Sequence, residues 1–277
     1  MAPDELLVTA GAATDVGRVR RINEDRYLAA SPVYLVADGM GGHDAGERAS
    51  TEAVETLRSL VGTRGITPQH VFTVVAEART RVVAIATRPG RDAGTTLSGV
   101  VVTHQDGAPY WLVMNVGDSR TYLLADGVLE QISVDHSEVQ ELIDSGGISR
   151  SEADRHPLRH VVTRALGAGG YSDADFWLLP IGCSDRILIC SDGLTGELDD
   201  DEIRDVLTTE RPPQAAADRL VQMALDRGGR DNVTVVVVDG EHGVVQDRTA
   251  PRQAGLRPAE EPDGDTNPSS RPTYRRP

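Results

Sequence analysis

Val233-Thr-Val-Val-Val-Val238 decides the architecture. Five valines and a threonine, all β-branched, make a run of strand length that offers no polar face to water, so it predicts a strand buried on both sides. Tyr34-Leu-Val-Ala37, Leu97 to Val102, Tyr110 to Val116 and Arg186 to Cys190 read as strands in the same way. Asp126-Gly127, set between Tyr122-Leu-Leu124 and Val128-Leu-Glu-Gln-Ile132, is a hairpin signal. Two helical patterns lie between the early strands. One, over about 45–61, puts Ala49, Ala53, Val54, Leu57 and Leu60 on one face; the other, over about 69–87, aligns Val71, Val74, Val75, Ala78, Val82 and Ile85. A later pair covers about 200–208 and 213–227. Strands with two dry faces, together with paired helices that have one, predict an α+β fold of stacked sheets with helices outside. That is a four-layer α-β-β-α sandwich rather than a βαβ repeat.

The sandwich pattern stops at Gly240. Residues 241–277 are rich in Pro, Arg, Gly, Asp and Glu, which predicts a disordered tail behind one domain over 1–240. The tail's six acidic residues and six arginines cancel, so the net charge of −15 belongs to the body. That charge would repel a nucleic-acid backbone and argues against such a partner. No apolar run approaches the roughly eighteen residues of a membrane helix, and Met1-Ala-Pro-Asp-Glu5 has no basic start or apolar core of a leader. These features predict a cytoplasmic protein without membrane attachment.

Lysine chemistry is excluded, because all 28 basic residues are arginine. Cys183 and Cys190 supply neither a disulfide framework nor a zinc site, and neither has an arginine six residues later, so the thiol-nucleophile arrangement of tyrosine phosphatases is missing. Both cysteines read as small core residues.

Four aspartates share one placement. Asp38 closes a buried strand in Val36-Ala-Asp-Gly39, Asp118 follows another in Asn115-Val-Gly-Asp-Ser-Arg120, Asp192 follows a third in Ile189-Cys-Ser-Asp-Gly193, and Asp231 precedes the last in Arg230-Asp-Asn-Val-Thr234. Asp-Gly and Gly-Asp are ordinary turn chemistry when met singly. Four carboxylates delivered alike to central strands are costly unless cations neutralise them. Oxygen-only donors select Mg²⁺ or Mn²⁺ over zinc, and no HExxH motif occurs. A carboxylate-held ion pair commonly clamps a phosphate. Arg20, in Arg20-Arg-Ile-Asn-Glu-Asp25, is the guanidinium placed to grip one.

On these motifs the chain resembles the PPM, or type 2C, family of metal-dependent Ser/Thr phosphatases, especially its bacterial branch. The resemblance covers nearly all of residues 6–240. Arg20-x-x-Asn-Glu-Asp25, Val36-Ala-Asp-Gly-Met-Gly-Gly42 with His43, Gly94-Thr-Thr-Leu97, Gly117-Asp-Ser-Arg120, Thr163-Arg-Ala-Leu-Gly167, Ser191-Asp-Gly193 and Arg230-Asp-Asn232 occur in family order. The resemblance implies two mainly antiparallel central sheets with the metals in a channel between them. It implies that Asp38 bridges two ions, that the Gly39 carbonyl ligates the second, and that Asp192 and Asp231 hold the first. Asp25 would bind through water. Asp118, again with Asp192, would form a third, weaker site, and Arg20 would hold the substrate phosphate. A flap is implied at about 145–164. Met40 stands where the animal branch has a histidine as general acid, which leaves the proton donor unassigned; His43 reads at least as well as structural.

The implied activity is hydrolysis of phosphoserine and phosphothreonine in proteins by a water activated between two Mg²⁺ or Mn²⁺ ions. Its partners would be phosphorylated proteins, Ser/Thr kinases and their targets among them, and the chain would act as a monomer. Two other readings compete. A pseudophosphatase that only binds phosphoproteins would not need the intact Arg20, Asp38, Asp192 and Asp231. A two-metal hydrolase of nucleotides would need stacking aromatics, which are only 4% of this chain, and Gly39-Met-Gly-Gly42 runs into His43-Asp44 rather than a P-loop Lys-Ser/Thr.

Overall fold

The computed structural model describes residues 6–41, 44–86, 93–105, 107–153, 156–159, 161–167, 173–242 and 253–254. His43, Gly42 and most of the 241–277 segment therefore lie outside the described residues, as do positions 154, 155 and 160 of the expected flap.

Two antiparallel sheets stack face to face. The first contains β1 (Leu7–Asp15), β8 (Arg120–Ala125), β9 (Val128–Gln131), β11 (Asp185–Cys190) and β12 (Val233–Glu241), in the order β1-β12-β11-β8-β9. The second contains β2 (Arg26–Ala30), β3 (Val33–Ala37), β6 (Leu97–Gln105), β7 (Ala108–Val116), β10 (Asp175–Pro180) and β13 (Gln253–Ala254), in the order β13-β10-β7-β6-β3-β2. A short pair, β4 (Gly39–Gly41) and β5 (Ala93–Thr95), sits beside it. Helices α1 (Ala45–Leu57) and α2 (Pro68–Ala86) cover the six-stranded sheet, and α6 (Asp200–Thr209) and α7 (Pro213–Arg227) cover the five-stranded one. This is the four-layer α-β-β-α sandwich that the strand composition predicts.

Period-two alternation divides each central strand between two cores. In β12, Val233, Val235 and Val237 face α6 and α7, whereas Val236 and Val238 face the other sheet. In β3, Val33, Leu35 and Ala37 pack under α1 and α2, and Tyr34 and Val36 point between the sheets. Each such valine, fully buried, contributes about 1.5–3 kcal/mol. The hairpin forms as expected: Asp126 and Gly127 take φ of 52° and 79°, the left-handed pair that a two-residue turn requires. Helix α6 begins with a capping box, in which Asp199 accepts from the Glu202 N–H and Glu202 accepts from the Asp199 N–H.

Three expectations need correction. The first long helix ends at Leu57 and tightens into a 3₁₀ turn over Arg58–Leu60. Glu241 extends β12, and Gln253–Ala254 pair with Trp177 and Leu178 of β10, so the segment after Gly240 is not wholly without structure. A sheet edge offers free backbone groups, and pairing with it needs no apolar side chains. Cys190 is buried as expected, but Cys183 is exposed in the turn between β10 and β11.

Candidate active site

Both sheets deliver aspartates to the same end of the sandwich. Asp38 follows β3, and Asp118 sits in the turn that carries the chain from β7 in one sheet to β8 in the other. Asp192 follows β11 as the first residue of the one-turn helix α5 (Asp192–Thr195), and Asp231 precedes β12. Asp25, immediately before β2, is 2% exposed.

The aspartates lie near enough to sense one another's charge. Burial raises the Asp38 carboxyl well above the usual carboxylate range, and the charges of Asp25, Asp192, Asp118 and Asp231 push the same way. Asp25 is pushed up to about 7 by burial, with Asp192 and Asp231 adding to the shift. Asp118, 8% exposed, is pushed up to about 8 by burial and then by Asp192 and Asp135. The Ser191 hydroxyl donates to Asp25 Oδ2 at 2.8 Å, while Asp25 Oδ1 is buried with no hydrogen-bond partner.

Hydrogen bonds fix the Asp38 main chain against Thr95 and Thr96. The Asp38 N–H donates to Thr96 Oγ1 (2.9 Å), its carbonyl accepts from the Thr96 N–H (2.9 Å) and the Thr95 hydroxyl (3.0 Å), and Thr96 Oγ1 lies 2.7 Å from Ser119 Oγ. Gly193 lies against the Asp231-Asn232 segment so closely that a Cβ there would come within 2.0 Å of the Asn232 carbonyl oxygen. Arg20 reaches in from the loop before β2, with Nη2 2.7 Å from Asp231 Oδ2 and 54% of its side chain exposed.

Two residues passed over in the sequence belong here. Glu24 has a buried Oε1 without a partner, is raised by burial, and senses Arg20 and Asp231. It stands beside Asp25 in Asn23-Glu24-Asp25, but the string alone does not say which carboxylate turns inward. His136, 5% exposed, accepts the Gly117 N–H on Nδ1 at 3.1 Å. Nε2 therefore carries the proton and donates to Asp175 Oδ2 at 2.9 Å. Its backbone N–H donates to the Gly117 carbonyl, and its carbonyl accepts from Thr163 N–H, so His136 joins the Asp118 turn to the exit of the expected flap. Over that region the chain forms α3 (Glu138–Asp144) and the single turn α4 (Arg150–Ala153), then returns through a bridge between Ser137 and Val162. With α5 and the start of α6 these elements wall a cleft of about 690 Å³ whose lining includes Asp118 and Asp192.

The residues fit a hard divalent cation. Buried carboxylates that repel one another and an orphaned carboxylate oxygen are what such an ion relieves. Among the described residues no three His, Cys, Asp or Glu side chains are drawn up tightly enough to enclose an ion by themselves. Mg²⁺-type ions keep several waters, so a sparse protein shell suits them. Met40 is partly exposed in β4 beside Asp38 and offers no titratable proton.

Residues 20–231 match the family described as protein phosphatase 2C. The chain is 36% identical over 239 residues to the serine/threonine phosphatase stp of Listeria monocytogenes, covering 82% of this chain and 93% of that one. Among solved structures it resembles the serine/threonine phosphatase PstP/Ppp of Mycobacterium tuberculosis, with a TM-score of 0.78 at 36% identity over 85% of this chain and 99% of that one. It also resembles the catalytic domain of PstP in complex with two manganese ions, with a TM-score of 0.77 at 34% identity over 86% of this chain and 100% of that one.

Proposed function

Because the chain belongs to the protein phosphatase 2C family of metal-dependent serine/threonine phosphatases, we propose that it hydrolyses phosphoserine and phosphothreonine in proteins with two divalent ions, Mn²⁺ or Mg²⁺, held at the aspartate cluster. The observation that carries this reading is the set of carboxylates from both sheets that raise one another's affinity for protons at one end of the sandwich. Asp38 and the Gly39 carbonyl, with Asp192 and Asp231, are the proposed ligands of the pair; Asp25 acts through water, and Glu24 is a further candidate. Asp118 with Asp192 is the proposed third, weaker site. When bound, the ions supply Lewis-acid stabilisation of the phosphoryl oxygens and a water acidic enough to serve as nucleophile near neutral pH.

The chain's own residues do the rest. Arg20 is exposed enough to meet a substrate phosphate and presents a planar guanidinium suited to two of its oxygens. The Asp38 main chain, fixed by Thr95 and Thr96, keeps the Asp38 carboxylate and the Gly39 carbonyl, which would hold the ions, in a constant relation. The cleft beside the flap, at about 145–164, is where the polypeptide around the phosphorylated residue would lie. The proton for the leaving alkoxide is not given by residue 40, since Met40 has none to give.

The catalytic unit is the two-sheet body, through Glu241 at the end of β12, acting as a monomer on phosphorylated proteins, Ser/Thr kinases and their targets among them. No helix among the described residues is long and apolar enough to cross a membrane. The test is phosphate release from phosphoserine and phosphothreonine peptides with Mn²⁺ and with excess chelator. Metal-dependent release is expected; full activity in chelator would overturn the reading.

A further inference from the structure

Asn232 spends its whole side-chain amide on one loop. Oδ1 accepts from the Glu24 N–H at 2.8 Å, and Nδ2 donates to the carbonyls of Val16 (2.9 Å) and Ile22 (3.0 Å). The residue is 6% exposed, and a flipped amide would set its NH₂ against an N–H and its oxygen against two carbonyls. Val16 and Glu24 bracket residues 17–23, the loop that carries Arg20, and Ile22 lies within it. Further ties run along the base: Gly17 N–H to Asp15 Oδ1 (2.8 Å), Arg18 N–H to the Gly229 carbonyl (2.7 Å) and Asn23 Nδ2 to Thr14 Oγ1 (2.9 Å).

Above these ties the loop stands clear of the body. Val19 and Ile22, on either side of Arg20 and Arg21, are 66% and 50% exposed. Two large apolar side chains held in water gain nothing from that position, so the loop's shape comes from its polar fastening below and not from burial. The head of Arg20 meets Asp231, the residue next to Asn232, so one dipeptide touches both the tip and the base of the loop.

From this we infer that Asn232 is a positioning residue for the substrate phosphate: it fixes the height and direction of the loop from which Arg20 reaches. The inference rests on the reading of Arg20 as the phosphate-gripping guanidinium. A bidentate grip needs the guanidinium plane placed to a fraction of an ångström, and a loop released from three hydrogen bonds does not supply that.

The test uses the full chain with Mn²⁺. Asn232→Asp keeps the shape and the acceptor for Glu24 N–H, but turns an oxygen toward the Val16 and Ile22 carbonyls. Asn232→Ser is the second variant should the first not fold. Four quantities are measured: KM and kcat on a phosphothreonine peptide, the affinity for inorganic phosphate, Mn²⁺ stoichiometry by calorimetry, and amide exchange over 17–23. Faster exchange in the loop is expected, with unchanged Mn²⁺ stoichiometry. KM and the phosphate dissociation constant should both rise by about tenfold, with a smaller fall in kcat. In an Arg20→Ala background the same substitution should add almost nothing.

Unchanged phosphate affinity in a folded variant, full additivity with Arg20→Ala, or loss of Mn²⁺ would each overturn the inference; the last would mean that Asn232 serves Asp231 and not the loop. If Arg20→Ala itself leaves phosphate affinity unchanged, the reading of Arg20 falls and takes the inference with it. If Arg20→Ala weakens phosphate binding and the Asn232 variants do not, the inference alone falls.

Discussion

Arg20 Nη2 lies 2.7 Å from Asp231 Oδ2, across 211 residues of sequence. Both side chains are well exposed, at 54% and 38%, so solvent screens the pair and its net contribution to stability is about 0–1 kcal/mol. Stability therefore does not depend on Arg20, as the proposed phosphate grip requires. Arg20→Ala is expected to leave the melting temperature within about 3 °C of the parent. A phosphate grip acts in the ground and transition states alike, so KM should rise roughly ten- to a hundredfold while kcat falls less. Arg20→Lys should recover only part of the loss, because a point charge does not replace a planar fork. Steady-state kinetics on a phosphopeptide and a melting curve check both halves. A fall in kcat at constant KM would place Arg20 in the chemical step.

The carboxylate cluster sets a pH dependence of stability for the metal-free protein. Asp25, at about 7, and Asp118, at about 8, lie above their ordinary value of 3.8, and Asp38 is raised as well. From about pH 4 to about pH 8 the folded chain therefore holds protons that the unfolded chain has released. Stability falls with rising pH wherever the native state binds more protons. In chelator, the melting temperature should drop across this window. Mn²⁺ binds the deprotonated forms, so the stabilisation it adds should grow over the same range. Melting curves at pH 5, 6, 7 and 8, with chelator and with Mn²⁺, measure this; a chelated protein that gains stability from pH 5 to 8 would contradict it.

The cysteines divide into one packing residue and one surface residue. Cys190 is buried in the core beneath α6 and α7, and burial pushes its thiol up to about 12, so no thiolate is present at neutral pH. Cys183 is exposed. Cys183→Ser should change neither turnover nor melting temperature. Cys190→Ala should keep turnover while losing roughly 1 kcal/mol of stability through lost packing. Loss of turnover in a folded Cys183→Ser/Cys190→Ala double variant would reopen a thiol mechanism.

The central strands were legible because double burial leaves no freedom in composition: the valines of β12 must be apolar in both directions. Strand β1 was not. Leu-Val-Thr-Ala-Gly-Ala-Ala-Thr-Asp is half-exposed and carries small residues where α7 crosses it; a Cβ at Gly11 would meet the Gln214 backbone nitrogen at 2.2 Å. A residue chosen for closeness looks like a turn signal in the string. Strand β10 was hidden for another reason, since Asp175 and Pro180 end it and its neighbour on one side is only the short β13. At the site, the turn residues around Asp38, Asp118, Asp192 and Asp231 could be read because each adjoins a recognisable strand. His136 could not, because its partners Gly117, Thr163 and Asp175 are 19 or more residues away and the bonds to Gly117 and Thr163 include backbone groups that any sequence supplies.

Asp118 distinguishes a metal ligand from a turn residue. Its turn is held by other groups: the Gly117 N–H and carbonyl are bound by His136, the Gly117 carbonyl also accepts from Asn115 Nδ2 at 3.1 Å, and Ser119 pairs with Thr96. The Asp118 carboxyl is instead under strain from burial and from Asp192. Removing it from the metal-free protein relieves repulsion, so Asp118→Ala should melt no lower than the parent in chelator. If Asp118 serves only the proposed third site, the variant should still bind two Mn²⁺ ions and keep its phosphate affinity, yet turn over more slowly. Asp38→Asn and Asp231→Asn, which strip a charged ligand from the proposed pair, should abolish turnover and reduce Mn²⁺ stoichiometry. Asp192→Asn, shared by both proposed sites, should follow them. Calorimetric titration with Mn²⁺ and melting in chelator separate the cases. A sharply lower melting temperature for Asp118→Ala would make it a turn residue, and loss of the tight pair would move it into the bridged site.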